Sequence, residues 1–287
     1  LFKGMQDSAD TLGFIEEKFD KTITWSEWFL YAAPFSIIMS IVLFFIMIKL
    51  IKPETDVIEG GKEVIAKQLA ELGPLKGSEI RLIIISITLL FLWATEGALH
   101  PFDTTTVTII AIALLLAPKI GVYSWSEVER LIPWGTIIVF SVGIALGSVL
   151  LNTQGAQWLS DTTFGTLGLD SMPLLATIAV VTLFNILIHL GFASATSLAS
   201  ALIPVFIVLA STITADGDQQ IGFVLIQQFV ISFGFLLPIS APQNMLAYGT
   251  GAFTTKDFLK SGIPLTIIAY ILVMIFSATY WQWIGLL

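Results

Sequence analysis

The chain has 287 residues, 56% of them hydrophobic and 12% charged, with a mean hydropathy of +0.90; this excludes a soluble domain and requires an integral membrane protein. The absence of cysteine removes disulfides, thiol catalysis and thiolate metal sites, and the two histidines, His100 and His189, stand too far apart in sequence for a metal cluster. The net charge is −8, and no nucleic-acid partner is expected.

The distribution of basic residues sets an expected topology. Lys49, Lys52, Lys62, Lys67, Lys76 and Arg81 surround one loop, Lys119 and Arg130 flank a second, and Lys256 and Lys260 mark a third. By the positive-inside rule all three face the cytoplasm. Between Arg130 and Lys256 there is no Lys or Arg, so that stretch must start in the cytoplasm, cross, carry an element opening to the outside, and cross back.

Residues 1–25 mix Asp7, Asp10, Glu16, Glu17 and Asp20 with Lys3, Lys18 and Lys21 and read as a non-cytoplasmic surface segment. With no initiator methionine, Leu1 and its neighbours read like the tail of an earlier helix, so a fragment of a longer polypeptide is expected. Residues 26–52 hold a first spanning helix, aromatic at its outer end (Trp25, Trp28, Phe29, Tyr31), with Lys49 and Lys52 inside and Pro34 as a bend. In residues 53–78, Val57, Val64, Ile65, Leu69 and Leu72 recur at helical spacing among charges, which predicts an amphipathic helix on the cytoplasmic membrane surface; a solvated connector is the alternative.

Within 79–153, residues 80–99 cross outward, His100-Pro101 turns the chain, residues 102–118 return, 124–130 form a short interfacial helix, and 134–151 cross again. Glu96, His100 and Asp103 read as a polar cap at the outer turn. The last crossing carries Gly143 and Gly147, a small-xxx-small face for a partner helix or subunit. Residues 154–172 form an outer loop free of Lys and Arg.

Two interruptions then break apolar sequence. Residues 173–213 contain Gly191, Ala193, Ser194, Ala195, Thr196, Ser197, Ala199 and Ser200 between apolar flanks; they predict a re-entrant helical hairpin with Ser194, Ala195 and Thr196 at its tip. Residues 221–251 contain Pro238-Ile239-Ser240-Ala241-Pro242-Gln243-Asn244, and two prolines four apart cannot both lie inside a regular helix. Irregular backbone at membrane depth is tolerated only against protein or a water-filled cavity. A hairpin tip and a broken helix are also how secondary transporters place midplane substrate and ion sites. Residues 258–285 cross outward to an aromatic terminus. The expected fold is therefore an all-α polytopic protein of the cell (cytoplasmic or inner) membrane, with six crossings, one re-entrant hairpin and one broken helix.

The chemistry of these breaks suits an anion. A carboxylate needs backbone amides, hydroxyls and a helix N-terminus, and the tip supplies all three. Sodium prefers carbonyl and hydroxyl oxygens, as other hard cations do; Ser240 and the opened backbone near Asn244 offer them. An intramembrane enzyme is not supported: there is no His-Glu-x-x-His, no aspartate in a central span, and no evident serine partner for either histidine. A purely structural subunit would have continuous helices at these two places. Asn185, His189, Gln227 and Gln228 read as buried hydrogen-bonding residues.

The order and spacing of these motifs resemble the divalent anion/sodium symporter family. Ser194-Ala195-Thr196 is similar to its second Ser-Asn-Thr signature, and residues 237–244 to its Leu-Pro-x-x-Thr-Pro-Pro-Asn loop. Tyr248-Gly249-Thr250-Gly251, residues 256–262, residues 102–107 and Ile132-Pro133-Trp134 also match, covering nearly the whole chain but only about the C-terminal half of a typical member. The resemblance implies an elevator-type transporter built from two inverted repeats, of which this chain carries the second and needs the missing N-terminal repeat for a complete site. Residues 26–52, 173–213, 221–251 and 258–285 would form the transport domain and 79–153 the scaffold, in a homodimer.

It further implies substrate contacts at Ser194, Ala195, Thr196 and Pro242, sodium at Ala193, Ala195, Ser240 and Asn244, and transport of di- or tricarboxylates such as C4-dicarboxylates, citrate or 2-oxoglutarate with Na+. Two departures stand out: Ala195 replaces the amide-bearing Asn of the tip, and Ala241 and Gln243 replace Thr and Pro of the loop. A sodium-independent dicarboxylate exchanger and a sulfate transporter of the same fold remain open.

Overall fold

The computed structural model describes residues 2–51, 60–132, 134–192 and 194–287. Its helices are α1 (Phe2–Phe19), α2 (Trp25–Leu50), α3 (Gly61–Leu72), α4 (Gly77–Ala94), α5 (Thr104–Leu116), α6 (Trp125–Val128) and α7 (Trp134–Asn152). They continue as α8 (Gly155–Phe164), α9 (Leu174–Ile188), α10 (Ala195–Ile213), α11 (Gly217–Ile231), α12 (Pro242–Gly249), α13 (Thr255–Ala278) and α14 (Tyr280–Trp283). Short 3₁₀ turns lie at Gly165–Leu167, Leu169–Ser171, His189–Gly191 and Pro238–Ser240. Among the described residues there is no β-strand, only an isolated bridge between Glu96 and His100.

Among the described residues, five segments are long and apolar enough to cross a membrane: Trp25–Leu50, Gly77–Ala94, Leu174–Gly191, Ala195–Ile213 and Thr255–Trp283. The return expected over 102–118 holds the 13-residue α5, about 20 Å long at 1.5 Å per residue and shorter than the hydrocarbon core.

Two compact units divide the described chain, one formed by residues 24–29 and 52–133 and the other by 1–23, 30–51 and 134–287. In the smaller, α4 packs on α5. Trp93 Nε1 donates to Thr108 Oγ1 at 3.1 Å, and at the turn Glu96 accepts from the Thr104 amide and hydroxyl at 3.3 and 2.6 Å. His100 Nε2 meets the Leu92 carbonyl at 2.9 Å. Asp103 caps α5 by accepting from the Thr106 amide and hydroxyl, and these bonds, the hydroxyl's first, hold its carboxyl below the ordinary aspartate value. In α3, which buries no residue, the apolar Val64, Ile65, Leu69 and Leu72 are exposed along with the charged residues; Val57 lies outside the described residues.

The larger unit has its core around α10 and α11. Residues 1–25, expected on the surface, instead include a packed helix. Thr11, Phe14 and Ile15 are buried along one face of α1, against α7, α10 and α11; its charged residues Glu16, Glu17 and Lys18 point outward, which is why the composition suggested a surface segment. Gly147, buried on the small-residue face of α7, receives the Phe14 ring, which a Cβ there would overlap. That face therefore finds its partner helix within the chain. Ser148 Oγ donates to Glu17 at 2.9 Å, and Lys21 pairs with Asp218 at the start of α11; both ions of the pair are exposed, so it contributes little to stability.

Aromatic packing joins α2 to α13, α14 and the segment after α11. Phe35 of α2 lies 5.9 Å from Phe233, 5.5 Å from Phe276 and 6.0 Å from Trp281 between ring centroids. Trp281, expected at an aromatic terminus, is fully buried, and its Nε1 donates to the Tyr31 carbonyl at 3.0 Å. Facing outward, Leu43, Phe44, Phe45 and Ile48 of α2 stay exposed, as suits a surface in contact with lipid.

Candidate functional site

The start of α9 and the end of α10 both lie near the turn at Leu169–Ser171. Thr177 Oγ1, in the first turn of α9, donates to the Leu169 carbonyl at 3.2 Å. Leu209 and Thr212, near the end of α10, line a cavity of about 260 Å³ with Leu169, Asp170 and Asp161. Between the legs stands Phe164, its centroid 5.0 Å from Phe184 of α9 and 6.4 Å from Phe206 of α10. α11 packs against both legs.

Between α9 and α10 the helix loosens into the 3₁₀ turn at His189–Gly191, and Ser194 starts α10 as its N-cap, accepting from the Ser197 amide at 3.3 Å. Ala195 is buried, while Ser194 and Thr196 are half-buried. Ala193 lies outside the described residues.

The second interruption begins where α11 ends at Ile231. Ser232 and Phe233 leave the helix, and the Gly234 and Phe235 amides each bond the carbonyl two residues back, at 2.9 and 2.8 Å. A 3₁₀ turn opening on Pro238 follows, and Pro242 starts α12 at its first position, where a missing N–H is harmless. Ser240 is 1% exposed. Asn244 Nδ2 donates to the Gly234 carbonyl at 2.9 Å, so its amide nitrogen braces the opened backbone and Oδ1 is left as the acceptor. Gly262 of α13 lets the Phe235 carbonyl pass, since a Cβ there would overlap it.

The two interruptions meet. A Cβ built on Gly234 would stand 3.3 Å from Ser240 Cβ and 3.4 Å from His189 Cε1, so the buried His189 ring reaches the opened segment from the turn before the tip. Behind it, Thr182, Asn185 and His189 share one face of α9. Asn185 Nδ2 donates to the Gln227 carbonyl and Oε1 at 3.0 and 3.3 Å, and Gln227 Nε2 donates to Thr182 Oγ1 at 3.1 Å. Gln228 accepts from Thr11 of α1. All five of Thr11, Thr182, Asn185, Gln227 and Gln228 are fully buried; their bonds offset part of the cost of placing amides in an apolar interior, while Asn185 Oδ1 and Gln228 Nε2 have no hydrogen-bond partner among the described residues.

Thus Ser240 and Asn244 come together around Gly234, joined by His189, which the sequence reading took only as a buried hydrogen-bonding residue. Its signal was the helical spacing of Thr182, Asn185 and His189. Beside the break, a cavity of about 580 Å³ that Gly234 itself borders is lined mainly by apolar residues such as Leu43, Met47, Phe235 and Leu265, with Asn244, Asp257 and Ser261 as polar members; it is too apolar, and its one charge of the wrong sign, to hold a dianion. His189 and Ser240 meet at Gly234, and the α10 N-terminus follows His189 closely in sequence; hydroxyls and a helix N-terminus are groups that suit an anion.

The sodium:sulfate symporter transmembrane region matches residues 2–287 of this chain. Over 275 residues the chain is 46% identical to a membrane protein of Cupriavidus necator, covering 96% of this chain and 53% of that one. It is 24% identical over 279 residues to the sodium-dependent dicarboxylate transporter SdcS of Staphylococcus saprophyticus, covering 92% and 52%. With the L-tartrate/succinate antiporter of Escherichia coli it shares 26% identity over 281 residues, covering 96% and 55%. The chain spans about half the length of these relatives. With five membrane-length apolar segments among its described residues, it is a multi-pass inner membrane protein, and a member of the sodium:sulfate symporter family, that is, of the divalent anion/sodium symporters.

Proposed function

We propose that the full-length protein is a secondary active transporter of C4-dicarboxylates or related di- and tricarboxylates, coupled to sodium, in which this chain supplies one of two inverted repeats. The observation that carries the reading is the meeting of two helix interruptions at His189, Gly234 and Ser240, in a stretch without Lys or Arg from residue 131 to 255. A dianion entering such a site needs cations to enter with it, which gives sodium coupling its physical sense. Ser194 and Thr196 then offer hydroxyls, and the amides at the start of α10 offer donors, to a carboxylate; Pro242 opens α12 beside them in sequence to Ser240. Sodium takes oxygens from Ser240, Asn244 and the backbone at Ala193 and Ala195. In this reading residues 173–213 are re-entrant, six crossings complete the topology, and the hairpin carries the site through the membrane as an elevator within a homodimer.

Sodium-independent exchange is the second reading, favoured by the antiporter among the relatives. Uptake of labelled succinate, L-tartrate, citrate and sulfate into proteoliposomes containing the full-length protein separates these cases. Uptake driven by an inward sodium gradient supports symport. Uptake requiring only an internal dicarboxylate supports exchange, and uptake of sulfate alone moves the substrate class.

A further inference from the structure

We propose that the cavity of about 260 Å³ at the ends of α8 and α10 binds a calcium ion through the carboxylates of Asp161 and Asp170 and the hydroxyls of Ser160 and Thr212. These four side chains reach it from three elements: Ser160 and Asp161 from the end of α8, Asp170 from the 3₁₀ turn at Leu169–Ser171, and Thr212 from the last turn of α10. Ser160 is 2% exposed. A helical hydroxyl commonly returns to the carbonyl four residues back, as those of Ser200 and Thr266 do. The Ser160 hydroxyl makes no hydrogen bond with any described residue and borders the cavity instead. A buried oxygen without a partner costs stability unless something fills its place. Thr212 Oγ1 donates to the Leu209 carbonyl at 2.8 Å, which leaves its lone pairs to a ligand. Gln157 Nε2 donates to Asp161 Oδ1 at 2.8 Å, which orients that carboxylate and leaves Oδ2.

Charge and helix dipoles act in the same direction here. No Lys or Arg occurs from residue 131 to 255, and among the described residues the ion pair is Lys21 with Asp218, so neither aspartate is neutralised. α8 and α10 both end at the cavity, and α10 has no basic residue in its last turn; a helix C-terminus carries partial negative charge. A concave surface lined by one sign of charge concentrates counter-ions. The donors are all oxygens, the set that hard cations take and soft metals do not. Two carboxylates match the charge of a divalent ion. Calcium accepts about six to eight oxygens in irregular sets that include water, whereas magnesium demands near-octahedral geometry. Among the described residues no three of His, Cys, Asp and Glu cluster, so the affinity belongs with weak sites, at about 0.1–1 mM. Bound there, the ion ties α8 and the turn before α9 to the last turn of α10.

The test is thermal unfolding of the purified full-length protein, titrated with calcium chloride, magnesium chloride and, at matched ionic strength, sodium chloride. Calcium should raise the melting temperature by about 2–4 °C at ten times its dissociation constant, with a midpoint at about 0.1–1 mM; magnesium should need a higher concentration, and sodium chloride should give no such shift. Asp161→Asn with Asp170→Asn keeps the size of two exposed side chains and should abolish the calcium shift. Ser160→Ala should move its midpoint up about tenfold, and Glu71→Gln, on the exposed α3, should leave it unchanged. Should the double variant be too unstable to purify, Asp161→Asn and Asp170→Asn singly should each weaken calcium about tenfold. Equilibrium dialysis against radioactive calcium should show a single ion per chain, lost with the carboxylates. An undiminished calcium shift in the aspartate variants, an equal shift with sodium chloride, or no shift up to about 10 mM calcium overturns the assignment. Binding and unfolding are read without uptake, so that failure leaves the transport reading standing.

Discussion

Gly262→Ala separates intrinsic helix preference from tertiary packing. Gly262 lies inside α13 and is buried; by propensity alone, alanine in a helix interior is favoured over glycine by about 1 kcal/mol. The structure reverses that sign, because the new Cβ would overlap the Phe235 backbone carbonyl, and a carbonyl in the opened segment cannot rotate aside as the end of a side chain can. Overpacking of this kind costs about 1–3 kcal/mol. Gly13, inside α1 with nothing within 4 Å of a Cβ, supplies the control. Gly13→Ala should stabilise by about 1 kcal/mol; since the propensity gain is shared, the two variants should differ by the overlap term of about 1–3 kcal/mol. Thermal unfolding of the purified full-length proteins in one detergent measures this difference, and succinate uptake should fall only in Gly262→Ala, where Phe235 and the adjoining break are displaced. Equal stabilisation by the two substitutions would refute the close approach of α13 to the opened segment.

Thr196→Val keeps shape and removes a hydroxyl at the tip; KM for succinate should rise about tenfold with insertion unchanged, and unaltered kinetics would remove Thr196 from the site. Asn185→Leu leaves the Gln227 side chain buried without its donor, so unfolding should come about 1–3 kcal/mol more easily, and Asn185→Leu with Gln227→Leu should recover part of that loss. Cysteines at Thr166 and Gly217 should react with impermeant reagent from outside and those at Gly61 and Thr254 only from inside; external reaction at Thr254 would turn the proposed re-entrant hairpin into a crossing. The Asp103 carboxyl titrates below its ordinary value when folded, so its contribution is present above about pH 4 and is lost as pH falls through the lowered value. Asp103→Ala should therefore reduce the melting temperature at pH 7, by a margin that shrinks toward pH 3.

Both interruptions were legible because their cause is local. Pro238 and Pro242 cannot donate backbone hydrogen bonds, and the run around Ser194 lacks the bulk that keeps an apolar helix buried, so the chain had to open at those places. Contacts between distant segments were less legible. Gly143 and Gly147 announced a close helix neighbour but not its identity, since the Phe14 ring that enters comes from a helix whose charges mask its apolar face. Thr11, Phe14 and Ile15 are spaced as one helical face, yet Asp7, Asp10, Glu16 and Glu17 dominate the composition around them. The approach of His189 to Gly234, 45 positions later, was hidden because no local pattern links the two.

Gly147 and Gly262 impose different histories on the chain. The clash at Gly147 is with the ring of Phe14, so a smaller residue at position 14 could release it, and the two positions are free to change together as lineages diverge. The clash at Gly262 is with a main-chain carbonyl, which every residue at position 235 possesses. No exchange at position 235 can compensate for a side chain at 262, so that glycine should persist in any descendant that keeps the opened segment against α13, while the pair at 14 and 147 drifts.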